Sequence, residues 1–163
     1  VNDVTRSSSE VLTMVIPDSY GLGLAYRHSD NWTVAVDVYR TDWEEFVLID
    51  SLAVIKNPLD GLSGTMENTT QLRLGTEYLF IRDKYAVPVR AGLFYNPEPG
   101  VAHIDEYYGF SLGTGYSQGR FVTDMSYQFR TGNDASADIP GVPGSNADVE
   151  QHTLMFSAIY YFE

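Results

Sequence analysis

Every second residue of 20–26 is Tyr20, Leu22, Leu24 and Tyr26, and the residues between them are Gly21, Gly23, Ala25 and Arg27. A period of two marks a strand with two unlike faces, because successive side chains of an extended chain point to opposite sides. The pattern recurs down the chain, and helical periodicity is absent. It predicts eight strands, near 8–16, 19–28, 32–46, 69–80, 85–96, 106–117, 120–130 and 150–162. The first is the weakest, its start blurred by Ser7, Ser8 and Ser9. One face of the third reads Trp32, Val34, Val36, Val38; of the fourth, Leu72, Leu74, Thr76, Tyr78, Phe80; of the fifth, Tyr85, Val87, Val89, Ala91, Leu93, Tyr95. The sixth gives Tyr108, Phe110, Leu112, Thr114, Tyr116; the seventh Phe121, Thr123, Met125, Tyr127, Phe129; the eighth Leu154, Phe156, Ala158, Tyr160, Phe162. None of these positions is charged.

The opposite faces carry Arg27, Asp37, Arg73, Glu77, Arg90, Asp124 and Arg130, set among Gly75, Gly92, Gly109, Gly113, Gly115, Ser111, Ser126 and Ser157. A soluble barrel or sandwich would also alternate, with its apolar face inward and no need for aromatic strand ends. Here the ends are aromatic: Tyr20 and Tyr26, Tyr85 and Tyr95, Tyr108 and Tyr116, Phe121 and Phe129, with Trp32, Tyr78, Tyr160 and Phe162 completing the belts. Tyr and Phe favour strands by propensity, but propensity does not place them at strand ends. An apolar band between amphipathic rings, backed by an ionic face, fits a strand standing in a bilayer around a wet interior. The expected fold is therefore all-β, an antiparallel transmembrane β-barrel whose lumen-facing charges line any substrate path.

The connections support the same expectation. Ser29-Asp30-Asn31, Arg82-Asp83-Lys84 and Gln118-Gly119 are tight, and they alternate with longer stretches at 47–68, 97–105 and 131–149. That order collects the tight turns, with Glu163, at one end, as periplasmic turns are collected in bacterial outer-membrane barrels. The 131–149 stretch, rich in Gly, Asn, Asp, Ser and Pro, is expected to be a mobile, solvated loop. Pro88 falls mid-strand, where it predicts a bulge or a break in pairing.

The 163 residues suit one domain, 1–163, or one piece of a larger one. A net charge of −12 argues against nucleic acid and against polybasic attachment to anionic lipid. No run approaches the roughly 20 apolar residues of a membrane helix. Cysteine is absent, which excludes disulfides and thiolate metal sites. Val1–Glu10 is polar, so an export signal, if there is one, lies outside this stretch. His28, His103 and His152 form no constellation with the abundant Ser and Asp, so neither catalysis nor a cofactor is expected. His103 with Asp105 and Glu106 reads as a solvated loop tip rather than a metal site. The interior arginines have two readings: attraction of an acidic head group, or pairing with Asp37, Glu77, Asp124 and the polar groups of a plug. The apolar run Phe46, Val47, Leu48, Ile49, Leu52, Val54, Ile55, Leu59, Leu62 either collects hydrophobic solute or packs on its neighbours.

Four segments together resemble a known family. LTMVIPDSYGLGLAYRHSDNWTVAVDVYRTDWEEF (12–46) has a strand ending at Pro17, a Gly-containing strand to Tyr26, the Asp30-Asn31-Trp32 turn, and Trp43 followed by Phe46. LRLGTEYLFIRDKYAVPVRAGLFYNPEP, YYGFSLGTGYSQGRFVTDMSYQF and TLMFSAIYYF follow in order. In sequence and spacing, over roughly 11–162, they resemble the C-terminal part of the FadL-type outer-membrane transporters of long-chain fatty acids and other hydrophobic compounds. The resemblance implies passive transport of hydrophobic small molecules across the bacterial outer membrane, with lipid and substrate as partners. Family members are fourteen-stranded barrels plugged by an N-terminal hatch. Hatch and early strands are absent here, which implies that the missing N-terminal part of the same protein completes the wall. Two other architectures fit the alternation: a small structural eight-stranded outer-membrane barrel and a soluble lipocalin-like ligand-binding barrel.

Overall fold

In a computed structural model, which describes residues 12–50, 52–56, 58, 66–99, 103–139 and 142–162, the period-two segments are extended and pair in chain order. The elements are β1 (Thr13–Val15), β2 (Ser19–Arg27), β3 (Trp32–Thr41), a 3₁₀ turn (Trp43–Glu45), β4 (Val47–Ile49), β5 (Ile55–Lys56), β6 (Thr69–Ile81), β7 (Ala86–Tyr95), β8 (Glu98–Pro99), β9 (Ile104–Asp105), β10 (Tyr107–Gln118), β11 (Phe121–Ile139) and β12 (Val142–Tyr160). Seven long strands form one antiparallel meander in the order β2-β3-β6-β7-β10-β11-β12. The sheet is open: its edges, β2 and β12, are not joined to each other. No helix among the described residues is long and apolar enough to cross a membrane, a statement that does not concern strands.

Register carries each face across all seven strands. Leu24, Val36, Leu74, Leu93, Phe110, Phe129 and His152 are successive cross-strand partners and make one continuous row. The row Trp32, Tyr78, Val89, Thr114, Met125, Phe156 runs parallel to it, nearer the tight turns. On the other face, Gly23, Asp37, Arg73, Phe94, Gly109 and Arg130 form one row, and Arg27, Thr33, Glu77, Arg90, Gly113 and Ser126 another. A one-residue slip would exchange the faces, so the register is strongly specified.

The burial of these faces is inverted relative to a protein folded in water. Along β10, Ser111, Gly113, Gly115 and Ser117 are partly covered, while Leu112 and Tyr116 are exposed. Along β6, Gly75 and Glu77 are partly covered, while Leu74, Tyr78 and Phe80 are exposed. Leu22 is 70% exposed, Leu24 65%, Leu154 71% and Phe156 72%. The only buried hydrophobic residues among the described ones are Met66, Tyr107 and Ala135, so the sheet has no apolar core of its own.

Several expectations are corrected. The segment expected as a first barrel strand does not join the large sheet: β1 pairs with β4 (Thr13↔Ile49, Val15↔Val47), which pairs with β5. Residues 8–11 of that expected strand lie outside the described residues. The third strand ends at Thr41, before the 3₁₀ turn, rather than at residue 46. The stretch 131–149 is largely the continued β11–β12 hairpin, not a solvated loop; Ala135↔Ala147 and Ala137↔Ser145 extend the ladder past register shifts at Gly132/Ala135 and Ala137/Ile139. Once the ladder is in register, adding rungs costs little, and Asp134, at φ 52°, absorbs the irregularity. Within the apolar run 46–62 the packing reading holds for three residues. Val47, Leu48 and Ile49 are half-buried in the β1–β4–β5 sheet, Leu52 is fully outside it, and Leu59 and Leu62 lie outside the described residues. Pro88 breaks pairing as expected. It keeps its place opposite Leu79 in β6, but the ladder to β10 is interrupted between Thr114↔Val89 and Ser117↔Ala86. Thr114 Oγ1 donates instead to the Pro88 carbonyl at 3.0 Å.

Candidate functional site

The charged rows meet in an open trough of about 850 Å³ on the more enclosed face of the sheet. Strand parity puts Arg27, Asp37, Arg73, Glu77, Arg90 and Arg130 on its walls. Asp124 completes the set through Arg90, whose Nε donates to Glu77 Oε2 at 2.6 Å and whose Nη1 donates to Asp124 Oδ1 at 2.8 Å. All seven residues expected on the inner face are therefore on one face. Between the charged rows runs a row of small side chains, Ala25, Ala35, Gly75, Gly92 and Ser111, which keeps the middle of the trough open.

The expected pairing of these charges is only partly realised. Asp37 and Arg73 are direct cross-strand partners, yet no ion pair joins them; Arg73 Nη2 donates to Gln71 Oε1 at 3.2 Å. Arg130 turns to a residue the alternation did not mark. Its Nη2 donates to Glu98 Oε1 at 2.6 Å, in the loop between β7 and β10, and its guanidinium lies 3.5 Å over the Tyr107 ring. Arg130 Nε is buried without a hydrogen-bond partner. The signal for Tyr107 is parity with Gly109, which places its ring on the polar face; Glu98 lies outside any alternating run, so nothing in the sequence pointed to it.

Arg90 neutralises two carboxylates at once, but the three side chains are 38–45% exposed and solvent screens them. Arg90→Met is therefore expected to lower unfolding free energy by only about 1 kcal/mol, read from the denaturant midpoint of the refolded protein. A loss several times larger would show that the triad is the keystone of the fold.

The aromatic residues expected at the strand ends lie on the exposed apolar side there, Phe129 excepted. At the tight-turn end, Tyr26, Trp32, Tyr78, Tyr85, Tyr116, Phe121, Tyr160 and Phe162 lie on the exposed apolar side, with Tyr85 stacked on Tyr116 at 5.6 Å and Tyr160 edge-on to Phe162 at 4.9 Å. At the loop end, Tyr95 and Tyr108 contact at 4.9 Å and both hydroxyls donate to Glu106, at 2.6 and 3.3 Å; Tyr20 lies at the same end. Phe129 sits further in, beside Phe110 at 5.7 Å and His152 at 5.1 Å, so it belongs to the band rather than to a belt. His103 Nε2 donates to the Asp134 carbonyl (3.0 Å) and stands 3.7 Å from Asp105, and no group of three potential metal ligands forms among the described residues. No protein-family model, no curated protein and no solved structure matches this chain.

Proposed function

We propose that this chain is part of the wall of a bacterial outer-membrane β-barrel that passes hydrophobic small molecules by diffusion, without covalent chemistry. One observation carries the reading: the better-covered face of the sheet is polar and the exposed face is apolar. Burying a Leu or Phe side chain is worth about 1.5–3 kcal/mol, so a face of Leu, Val, Tyr and Phe left open over seven strands is stable only against an apolar neighbour. Lipid is the neighbour that suits the two belts. β2, β3, β7 and β10 are 9, 10, 10 and 12 residues long, close to the 9–11 residues of a bilayer-spanning strand. A lipocalin-like barrel would need the apolar face inside, and the trough is ionic instead.

Parity also weighs against a barrel made by these seven strands alone. β2 and β12 run in the same direction, so joining them would create a parallel seam; antiparallel closure takes an odd number of further strands. The eight-stranded alternative needs one more strand in the sheet, and β1 is engaged with β4. The resemblance to FadL-type transporters supplies the substrate class, long-chain fatty acids or hydrocarbons.

The test uses a Trp43→Phe chain, which leaves Trp32 as the only tryptophan, refolded through detergent into vesicles of brominated phosphatidylcholine. Trp32 emission is expected to fall by more than half. Unquenched Trp32, or recovery as a soluble monomer without detergent, refutes the membrane reading. Cells carrying the chain in their outer membrane are expected to admit pyrene faster than cells without it; equal rates refute transport.

A further inference from the structure

Charge is divided unevenly along the strand axis. In the tight turns Arg82, Lys84 and Arg120 stand against Asp30 and Asp83, three cations to two carboxylates among the described residues. At the loop end, twelve Asp and Glu stand against Arg40 and Arg130 among the residues whose side chains are described. A ten-residue strand such as β3 separates the ends by roughly 33 Å, several times the screening length of about 10 Å at 0.1 M salt. Each end therefore meets its surroundings with its own charge, which the chain's net −12 does not describe.

The basic end coincides with the denser aromatic belt. Trp32 lies edge-on to His28 at 5.0 Å, Tyr78 contacts Phe80 at 4.7 Å, and Tyr85 stacks on Tyr116. Arg82 and Lys84 are exposed in the β6–β7 turn, closed by Arg82 N–H to the Tyr85 carbonyl at 2.9 Å. Interfacial rings sit at head-group depth, and cations immediately beyond them reach the lipid phosphates. We infer that the tight-turn end is a docking surface for anionic phospholipid head groups, which gather around Arg82 and Lys84 beside the Trp32–Tyr78–Tyr85 belt. This inference rests on the membrane reading above and adds a lipid preference that the net charge of the chain would deny.

Trp32 reports on this surface, because it pairs with Tyr78 in the strand that leads into the Arg82–Lys84 turn. The Trp43→Phe chain is placed in mixed vesicles of phosphatidylcholine and phosphatidylglycerol in which one or the other lipid is brominated. At low salt, brominated phosphatidylglycerol is expected to quench Trp32 with an apparent preference of about threefold. The preference should fall to parity in 1 M NaCl and in the Arg82→Gln/Lys84→Gln chain, whose turn keeps its backbone bonds. Equal quenching by the two lipids at low salt overturns the inference, as does a preference that survives both salt and the double substitution. Absence of quenching by either lipid overturns the membrane reading itself and this inference with it.

Discussion

Leu112→Lys is expected to destabilise the bilayer-inserted protein by about 2–4 kcal/mol, whereas Gln128→Lys should cost less than about 1 kcal/mol. Leu112 is exposed on the apolar face, four residues from Tyr108 and four from Tyr116, so it stands midway between the two belts. Gln128 lines the trough, one strand away in the same sheet and on the opposite face. The asymmetry follows from the solvent. A lysine in hydrocarbon has no water to solvate its ammonium and only a costly route to the interface, whereas one in the wet trough keeps its hydration. A protein folded in water would respond differently, since Leu112→Lys would then be a surface substitution worth within about 0.5 kcal/mol. Guanidinium unfolding in vesicles decides the matter: similar costs for the two substitutions would mean that the two faces meet the same solvent, and the transporter reading would fall.

Gly109→Ala is expected to cost about 1–3 kcal/mol, as overpacking does in a well-packed interior. A Cβ at residue 109 would run into the Phe129 carbonyl and the edge of the Phe94 ring. The carbonyl belongs to the β10–β11 ladder and cannot step aside without breaking rungs. Gly75→Ala is the control from the same face. Its nearest obstacle is the Ala91 carbonyl at 4.0 Å, and the residue gains the lower chain entropy of alanine in the unfolded state. It should leave stability unchanged or raise it by about 0.5–1 kcal/mol. If both substitutions cost the same in a urea titration of the micelle-refolded protein, the trough glycines are not distinguished by packing and the register β10↔β11 described above is wrong.

The candidate site was half legible in advance. That Arg27, Asp37, Arg73, Glu77, Arg90, Asp124 and Arg130 share a face needed only counting by twos, since the pleat repeats every second residue. Which carboxylate each arginine meets was not legible. Asp37 and Arg73 are opposite each other and do not bond, while Arg90 spans from Glu77 on β6 to Asp124 on β11. Arg130 leaves the alternating strands altogether for Glu98. Long guanidinium side chains reach across neighbouring strands, and that choice depends on twist, on rotamers and on small neighbours such as Gly113 that open the way. The 131–149 stretch shows the opposite failure. Its Gly, Asn, Asp, Ser and Pro carry turn chemistry, but they adjoin a ladder already in register from Phe121↔Tyr160 to Gly132↔Val149, and the backbone continues the pairing.

Which side chains share a face, where the tight turns fall and which solvent each face prefers follow from local order along the chain, because pleat and turn geometry act over two to four residues. Pairing is a long-range matter: β1 joins β4 rather than the large sheet, and β2 and β12 stay apart as parallel-running edges. Those outcomes depend on competition among distant partners for the same backbone hydrogen bonds, which no window of neighbouring residues contains.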